Sequence, residues 1–357
     1  MVHTIGSTYL PGGTCPQVVG SPRNRMRLPE LDDPMRMQAV VILVLSNFLF
    51  YTAQVYGRSY TILGESLRVA RPHIQSPRAV CAAGGEEVGD VVTVQTTLAG
   101  VPAILRVPKM ITKAPIILWH GFGAPASESE LMKALPLDDV AAVKVYLGLP
   151  LFGSRAPSGG SDTLARRQVT DYASLIFEPV VMGAAKELPA VVDALRSRRC
   201  LRPNDRIGLF GFSAGGAAVL FALAERAVPV QAAVTLNAPV GLSESIQAVE
   251  HATKRRYEWT PSTRQLAERA DSIRRAGEIA AGDPPPALLI FHGAADDVVP
   301  SQGTLSLRDA LRPLYGASGN DERLKVVIAP DVSHDWTKPD ALHEIRVEVA
   351  TWFNQHL

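Results

Sequence analysis

The residue with the clearest catalytic potential in this chain is Ser213, within the pentapeptide Gly211-Phe212-Ser213-Ala214-Gly215. Apolar residues at 207–210 predict a short strand before it, and small residues at 217–224 predict a helix after it. A strand that turns into a helix through Gly-x-Ser-x-Gly needs glycine on both sides, because a Cβ there would clash across the tight turn. The serine hydroxyl then points away from the sheet, beside the N–H groups and positive dipole end of the helix. This setting suits a nucleophile whose attack creates an oxyanion.

Two loops further along the chain offer an acid and a base. Residues 287–293 predict a strand, and the loop that leaves it contains Asp296 and Asp297. Residues 325–328 predict the next strand, and its loop contains His334. Functional groups gather at the carboxyl ends of strands in α/β sheets. A histidine there can take the serine proton, while a carboxylate holds the imidazole in the right tautomer.

A third loop adds candidate oxyanion donors. Residues 114–119 predict a buried strand, and His120-Gly121-Phe122-Gly123 follows it. With the serine turn, the aspartate loop and the histidine loop in that order, the chain resembles the α/β-hydrolase superfamily from about residue 91 to residue 357. The resemblance implies an α/β fold with a mostly parallel central sheet and helices on both faces.

The resemblance also implies roles for single residues. The backbone N–H groups of Phe122 and Ala214 are expected to form the oxyanion hole. His120 and His292 are interpreted as structural rather than catalytic. Gly216, directly after the pentapeptide, and the segment 149–155 are similar to the esterase and prolyl-oligopeptidase-like, dienelactone-hydrolase-related branch.

The acid has more than one candidate. The spacing from His292 to the pair at 299–300 matches the superfamily pattern and favours Asp296. Asp297 is the neighbouring alternative, and Asp331 in the histidine loop is a third. Most loop aspartates cap turns, so each candidate also has a purely structural interpretation.

The elements that position these groups alternate between strand and helix, which predicts a mostly parallel sheet. A hairpin at 91–107, strands near residues 117, 143, 209, 234, 290 and 327, and helices at 179–199 and 341–356 are predicted. The insert at about 237–286 is too long for a plain loop, so we expect a helical cap over the site. Its residues Ile246, Tyr257 and Trp259 are candidates to line the substrate pocket, with a solvated helical decoration as the alternative.

Composition excludes several other classes of function. Lys plus Arg total 36 against 35 for Asp plus Glu, so nothing indicates a nucleic-acid partner. No phosphate-binding loop, zinc pattern or haem motif is present, and the proposed chemistry needs no cofactor and no metal. Cys15, Cys81 and Cys200 show neither metal spacing nor a disulfide framework, and Cys200 is interpreted as an ordinary thiol.

The N-terminal region divides into three predicted parts before a catalytic domain at 90–357. Residues 1–34 are expected to be disordered or extraneous, and 59–89 to be a linker. Between them, 35–58 contains an uncharged apolar run that is a signal sequence, a membrane anchor or a packed helix. A membrane-anchored or exported protein is therefore expected over a cytoplasmic one, with 39–55 as the segment that could associate with a membrane and the start codon left open.

The function predicted from the sequence is hydrolysis of small-molecule carboxylic esters through an acyl-enzyme formed on Ser213. A serine peptidase is an alternative, although its relatives carry a propeller for which the about 90 residues before the domain are too few. An acyltransferase, a thioesterase or a non-catalytic binding protein of the same fold are further alternatives. Acyl-chain length, cap mobility and oligomeric state stay open at this point.

Overall fold

The computed structural model describes residues 77–357. The predicted N-terminal extension, the apolar segment and residues 59–76 of the predicted linker lie outside the described residues. The remainder of that linker forms a short helix and a strand that extends the sheet. Within 77–357 no helix is both long and apolar enough to cross a bilayer.

Nine strands and ten α-helices make up the described residues. The strands are β1 Glu86–Val88, β2 Val91–Leu98, β3 Val101–Pro108, β4 Ile116–Trp119, β5 Lys144–Leu147, β6 Ile207–Phe212, β7 Val230–Leu236, β8 Ala287–Gly293 and β9 Leu324–Ala329. The helices are α1 Pro77–Cys81, α2 Glu128–Ala134, α3 Gly160–Tyr172, α4 Gly183–Ser197, α5 Ala214–Glu225, α6 Leu242–Thr253, α7 Pro261–Arg269, α8 Ala276–Ile279, α9 Gln302–Ala317 and α10 Pro339–His356.

All nine strands form one sheet in the order β1-β2-β3-β5-β4-β6-β7-β8-β9. The pairs β1–β2, β2–β3 and β3–β5 are antiparallel, while the pairs β5–β4, β4–β6, β6–β7, β7–β8 and β8–β9 are parallel. The mostly parallel α/β sheet predicted from strand–helix alternation is confirmed.

The sheet is covered on both faces because β4, at its centre, is apolar and buried at every position. In β4, Ile117 and Trp119 belong to the core on one face, whereas Ile116 and Leu118 belong to the core on the other. Successive side chains of a strand point to opposite faces, so a continuous apolar run requires two cores. The packed layers hold the carboxyl ends of the strands, and therefore the loops that follow them, in fixed positions.

The insert between β7 and β8 is helical, as expected, and contains α6, α7 and α8. The helix predicted at 179–199 differs in detail, because its first part continues a π-helical segment, Ala173–Met182, that includes Pro179. Proline has no N–H to donate, so the helical hydrogen-bond ladder loses one bond at Pro179. The Tyr257 hydroxyl of the insert donates to Asp171 at 2.6 Å and ties the insert to the segment before the π-helix.

One expectation about the cysteines is wrong. Cys81 in α1 and Cys200 after α4 form a disulfide across 119 residues of chain, with their Cα atoms 5.0 Å apart. Cys200 is therefore not a free thiol. Three scattered cysteines carry no sequence signature of pairing, because connectivity depends on contacts made only in the fold.

Candidate active site

Ser213 occupies a strained turn between β6 and α5. Its backbone has φ 53° and ψ −118°, a combination that residues with a side chain rarely adopt. A Cβ on Gly211 would overlap the backbone at Gly215 and Gly216, and a Cβ on Gly215 would lie 2.5 Å from two carbonyl oxygens. The requirement for glycine on both sides of the serine is confirmed, and it explains how so sharp a corner is tolerated.

A chain of hydrogen bonds leads from this serine to a histidine and a carboxylate. Ser213 Oγ lies 3.2 Å from Nε2 of His334. Nδ1 of the same ring lies 2.8 Å from Oδ2 of Asp296. The carboxylate accepts the Nδ1–H, which leaves the Nε2 lone pair free to accept the serine proton. The fold therefore brings together Ser213, His334 and Asp296, which come from three separate loops and are the predicted nucleophile, base and acid.

The structure places the three candidate acids differently. Asp296 is buried, and its Oδ1 accepts the N–H groups of Val298 at 2.9 Å and Val299 at 2.8 Å. Asp297 and Asp331 are exposed and make no contact with His334. The backbone bonds leave the Oδ2 of Asp296 aimed at the imidazole, so only this aspartate can orient the ring.

His292 lies behind the loop that follows β8 and contains Asp296, here called the acid loop, and holds it in place. The buried ring donates from Nε2 to the carbonyl of Val299 at 2.8 Å, and its Nδ1 lies 2.8 Å from Oγ1 of Thr304. Burial lowers the pKa of His292, which keeps the ring neutral with one donor and one acceptor. This environment agrees with a structural role, since the ring does not touch Ser213.

His120 plays the same part at the turn after β4. Its Nδ1–H donates to the carbonyl of Gly121 at 2.7 Å, and its Nε2 accepts the N–H of Leu149 at 3.2 Å. Burial lowers the pKa of His120, so this ring too is neutral. The two bonds join the turn after β4 to the loop after β5 and fix the backbone of the next residue, Phe122.

The predicted oxyanion donors lie beside the serine. Phe122, Ser213 and Ala214 line one cavity. Within residues 77–357 no acceptor is hydrogen-bonded to the Phe122 N–H. Ala214 is the first residue of α5, where an N–H has no partner inside the helix. Both groups can therefore donate to a charge that develops next to the Ser213 Oγ.

Asn237, directly after β7, is a site residue that the sequence analysis missed. Its side chain accepts the N–H of Gly293 at 2.8 Å and donates to the carbonyl of Ser333 at 2.9 Å. The acid loop and the histidine loop are thus cross-linked by one buried amide. An asparagine at the carboxyl end of a predicted strand was the available signal.

Two adjoining cavities open at this edge of the sheet. The inner cavity, next to Ser213, has a volume of about 220 Å³. The outer cavity is about 380 Å³ and includes Tyr257 in its wall. Of the other two residues expected to line a pocket, Ile246 is buried in the core and Trp259 packs against that core.

Metal chemistry has no evident site among residues 77–357, where no cluster of three His, Cys, Asp or Glu side chains could hold an ion.

The chain is similar to known proteins in part of its sequence and in its fold. Residues 183–357 match the prolyl oligopeptidase family. A solved structure from Thermus thermophilus is 22% identical with a TM-score of 0.56, over 74% of this chain and 98% of that one. The described residues have the α/β-hydrolase fold.

Two peptidases share the α/β-hydrolase fold of this chain. An acylaminoacyl peptidase from Pyrococcus horikoshii is 17% identical with a TM-score of 0.53, over 76% of this chain and 42% of its own. A puromycin-hydrolyzing peptidase from Mycobacterium tuberculosis is 16% identical with a TM-score of 0.55, over 75% of this chain and 39% of its own. The chain thus spans less than half the length of either peptidase. No curated protein is significantly similar to it in sequence.

Proposed function

We propose that this serine hydrolase cleaves carboxylic esters through an acyl-enzyme on Ser213. The Nε2 of His334 takes the serine proton as Oγ attacks the ester carbonyl. Asp296 keeps the imidazole in the tautomer that accepts this proton and stabilises the ring once it is charged. The N–H groups of Phe122 and Ala214 hold the tetrahedral oxyanion.

The second half of the cycle uses the same groups. His334 gives its proton to the leaving alcohol, and a water molecule then takes the place of that alcohol beside the ring. His334 accepts a proton from the water as the water oxygen attacks the acyl carbonyl. His334 then returns this proton to Ser213 Oγ as the bond from Oγ to the acyl carbon breaks, and the carboxylic acid leaves. Preorganised backbone donors matter in both halves, since loss of one such donor costs about 10²–10³-fold in kcat in a well-studied hydrolase.

The observation that carries this proposal is the hydrogen-bonded chain from Ser213 through His334 to Asp296. The bonds of 3.2 Å and 2.8 Å have the lengths that proton transfer and ring orientation require. Each of the three groups comes from a different loop, so their alignment is a property of the whole domain rather than of one motif.

A serine peptidase is the second candidate, because the same groups can attack an amide. It is favoured by the match of residues 183–357 to the prolyl oligopeptidase family and by the fold shared with two peptidases. Amide hydrolysis asks more of His334, which must protonate a poorer leaving group than an alcohol.

The test is hydrolysis of 4-nitrophenyl esters and of peptidyl 4-nitroanilides by the wild type and by Ser213→Ala. We expect ester turnover that falls by at least about 10³-fold in Ser213→Ala, because the residual rate comes from binding and the oxyanion donors alone. Ser243→Ala, on an exposed position of α6, should retain full activity. Turnover of anilides but not esters would favour the peptidase, and ester turnover that survives in Ser213→Ala would remove Ser213 as the nucleophile.

A further inference from the structure

The inner cavity beside Ser213 is a built pocket with a defined lining. Its walls come from five stretches of chain: the turn after β4, α3 with the π-helical segment that follows it, the start of α5, the loop after β7 with the helix α6, and the acid loop. The lining residues are Phe122, Gln168, Tyr172, Phe177, Val181, Ser213, Ala214, Pro239, Ser245, Ala248, Val249, Ala252, Val298 and Val299. The cavity is thus shared between the α/β domain and the helical insert.

The position of the cavity identifies which half of an ester it receives. It is lined by Ser213 and by the two residues that carry the oxyanion donors, but His334 contributes nothing to its wall. The leaving oxygen must lie within hydrogen-bonding distance of His334 Nε2 to be protonated. A substrate group inside the cavity therefore lies on the other side of the carbonyl, which is the acyl side.

The lining has no group that could balance a charge. None of its residues is Asp, Glu, Lys, Arg or His. Its polar groups are the Gln168 amide and the hydroxyls of Tyr172, Ser213 and Ser245, and the Ser245 hydroxyl donates to the Gly241 carbonyl at 3.0 Å. An ammonium group placed there would lose its hydration without gaining a counter-ion, which is strongly unfavourable.

Helix α6 sets the width of the cavity. Its contributing residues are Ser245, Ala248, Val249 and Ala252, at the i, i+3, i+4 and i+7 spacing of one helical face. Two of the four are alanines, so a larger side chain at either position would project into the space that they leave. The face of the cap that looks towards Ser213 is therefore a steric limit on the substrate.

A charged region lies where the inner cavity ends. The outer cavity shares Gln168 and Val249 with it and therefore adjoins it. Its wall contains Asp171, Glu250, Arg255, Arg256 and Glu258. A long acyl chain would leave the apolar lining and run against these hydrated groups, so additional methylenes would gain nothing.

We propose that the inner cavity is the acyl-binding pocket, and that the substrates are esters of short, uncharged, apolar carboxylic acids. Ala248 and Ala252 are the specificity-determining residues that set the length limit. This assignment rests on the proposed ester hydrolysis by Ser213 and adds to it the class of acid. It distinguishes the protein from an enzyme that accepts a free α-amino group next to the scissile carbonyl.

A matched pair of esters tests the charge selection. The 4-nitrophenyl esters of 3-methylbutanoic acid and of valine differ only by the amino group, which is protonated at pH 6.5 because an α-amino pKa is about 8. With the Ser213→Ala rate subtracted as background, we expect kcat/KM for the uncharged ester to be at least tenfold higher. Equal rates, or a preference for valine, would overturn the assignment of the pocket while leaving the nucleophile in place.

A helix-face variant tests the length limit. Ala248→Leu should lower kcat/KM for the hexanoate ester at least tenfold and that for the acetate ester less than threefold, because only the longer chain needs the filled space. His251→Leu, on the exposed part of α6 and outside both cavities, is the matched control and should change neither rate. Ala252→Leu gives the same test if Ala248→Leu fails to fold.

The outcomes separate the two proposals. A wild type that favours short uncharged esters, and variants that shift the length limit, support both. Ester hydrolysis that depends on Ser213 but is indifferent to charge and to Ala248→Leu contradicts the acyl pocket alone. A wild type that hydrolyses no ester at all contradicts the proposed function, and the acyl pocket with it.

Discussion

At the scale of single residues, the site depends on side chains whose positions are imposed by their neighbours. Ser213 has a positive φ of 53°, and backbone strain of this kind costs about 1–3 kcal/mol. It persists because Gly211 and Gly215 let the strand and the helix approach so closely that no relaxed turn fits. His120 and His292 are neutral rings that hold the two neighbouring loops, which contain Phe122 and Asp296, in place.

The two adjacent aspartates make the sharpest prediction at this scale. Asp296→Asn should lower kcat for ester hydrolysis by about 10³–10⁴-fold, because an amide no longer fixes the imidazole tautomer, as measured for the equivalent change in another serine hydrolase. Asp297→Asn removes one exposed charge and should change kcat by less than about threefold. Steady-state kinetics of the two variants decide, and the reverse ranking would reassign the acid.

At the scale of elements, the loops at the carboxyl edge of the sheet are held by cross-links rather than by their own sequences. Asn237 joins the loops after β8 and β9, and the Tyr257 hydroxyl joins the insert to the segment before the π-helix. The site is thus built from loops, but each loop is tied to a packed strand. This is the arrangement that preorganised electrostatic catalysis requires.

The disulfide makes a prediction about an element far from the site. Cys81→Ser with Cys200→Ser should lower the free energy of unfolding by about 2–4 kcal/mol, because the bond closes a long loop of chain in the unfolded state. Urea unfolding with and without reductant measures the effect. Cys15→Ser keeps both partners and is the control; equal stability of the double variant and the wild type would mean that the bond contributes nothing.

At the scale of the whole molecule, the apolar interior around the sheet contains a lysine side chain, whose burial is energetically unfavourable. Lys144, the first residue of β5, is fully buried, and its Nζ donates to the Val140 carbonyl at 3.1 Å. The pKa of this ammonium is lowered to about 8, chiefly by burial. The carboxylates of Asp138 and Asp139 oppose this shift, and the charge of Arg106 adds to it. The folded state therefore releases this proton at a lower pH than the unfolded chain does.

The lysine makes stability depend on pH in alkaline solution. The unfolded chain, with its lysine pKa near 10.4, binds more protons than the folded protein between about pH 8 and pH 10, so the contribution of Lys144 to stability rises with pH across that window. A pKa difference of one unit corresponds to about 1.4 kcal/mol, so the free energy of unfolding rises by a few kcal/mol across this window.

Lys144→Met removes the titrating group and should abolish this rise. It should also unfold at higher urea than the wild type at pH 7, since no ammonium is then buried. Urea midpoints at pH 7 and pH 9.5 for both proteins test this. A rise of the same size in the variant would place the titrating group elsewhere.

The sequence by itself determined the groups that recur in local patterns. Gly-x-Ser-x-Gly between an apolar strand and a helix needs no distant contact to be recognised, because the steric conflict lies within five residues. The strand–helix alternation likewise follows from local apolar runs, and it carried the fold and the order of Ser213, Asp296 and His334.

Only the tertiary structure decided the choices that depend on distant contacts. Asp296 rather than Asp297 faces His334 because the N–H groups of Val298 and Val299 turn its carboxylate inward. The pairing of Cys81 with Cys200 joins elements separated by 119 residues. The acyl pocket combines side chains from five separate segments, and no pattern along the chain reports which of them meet, because their proximity results from packing of the insert onto the sheet.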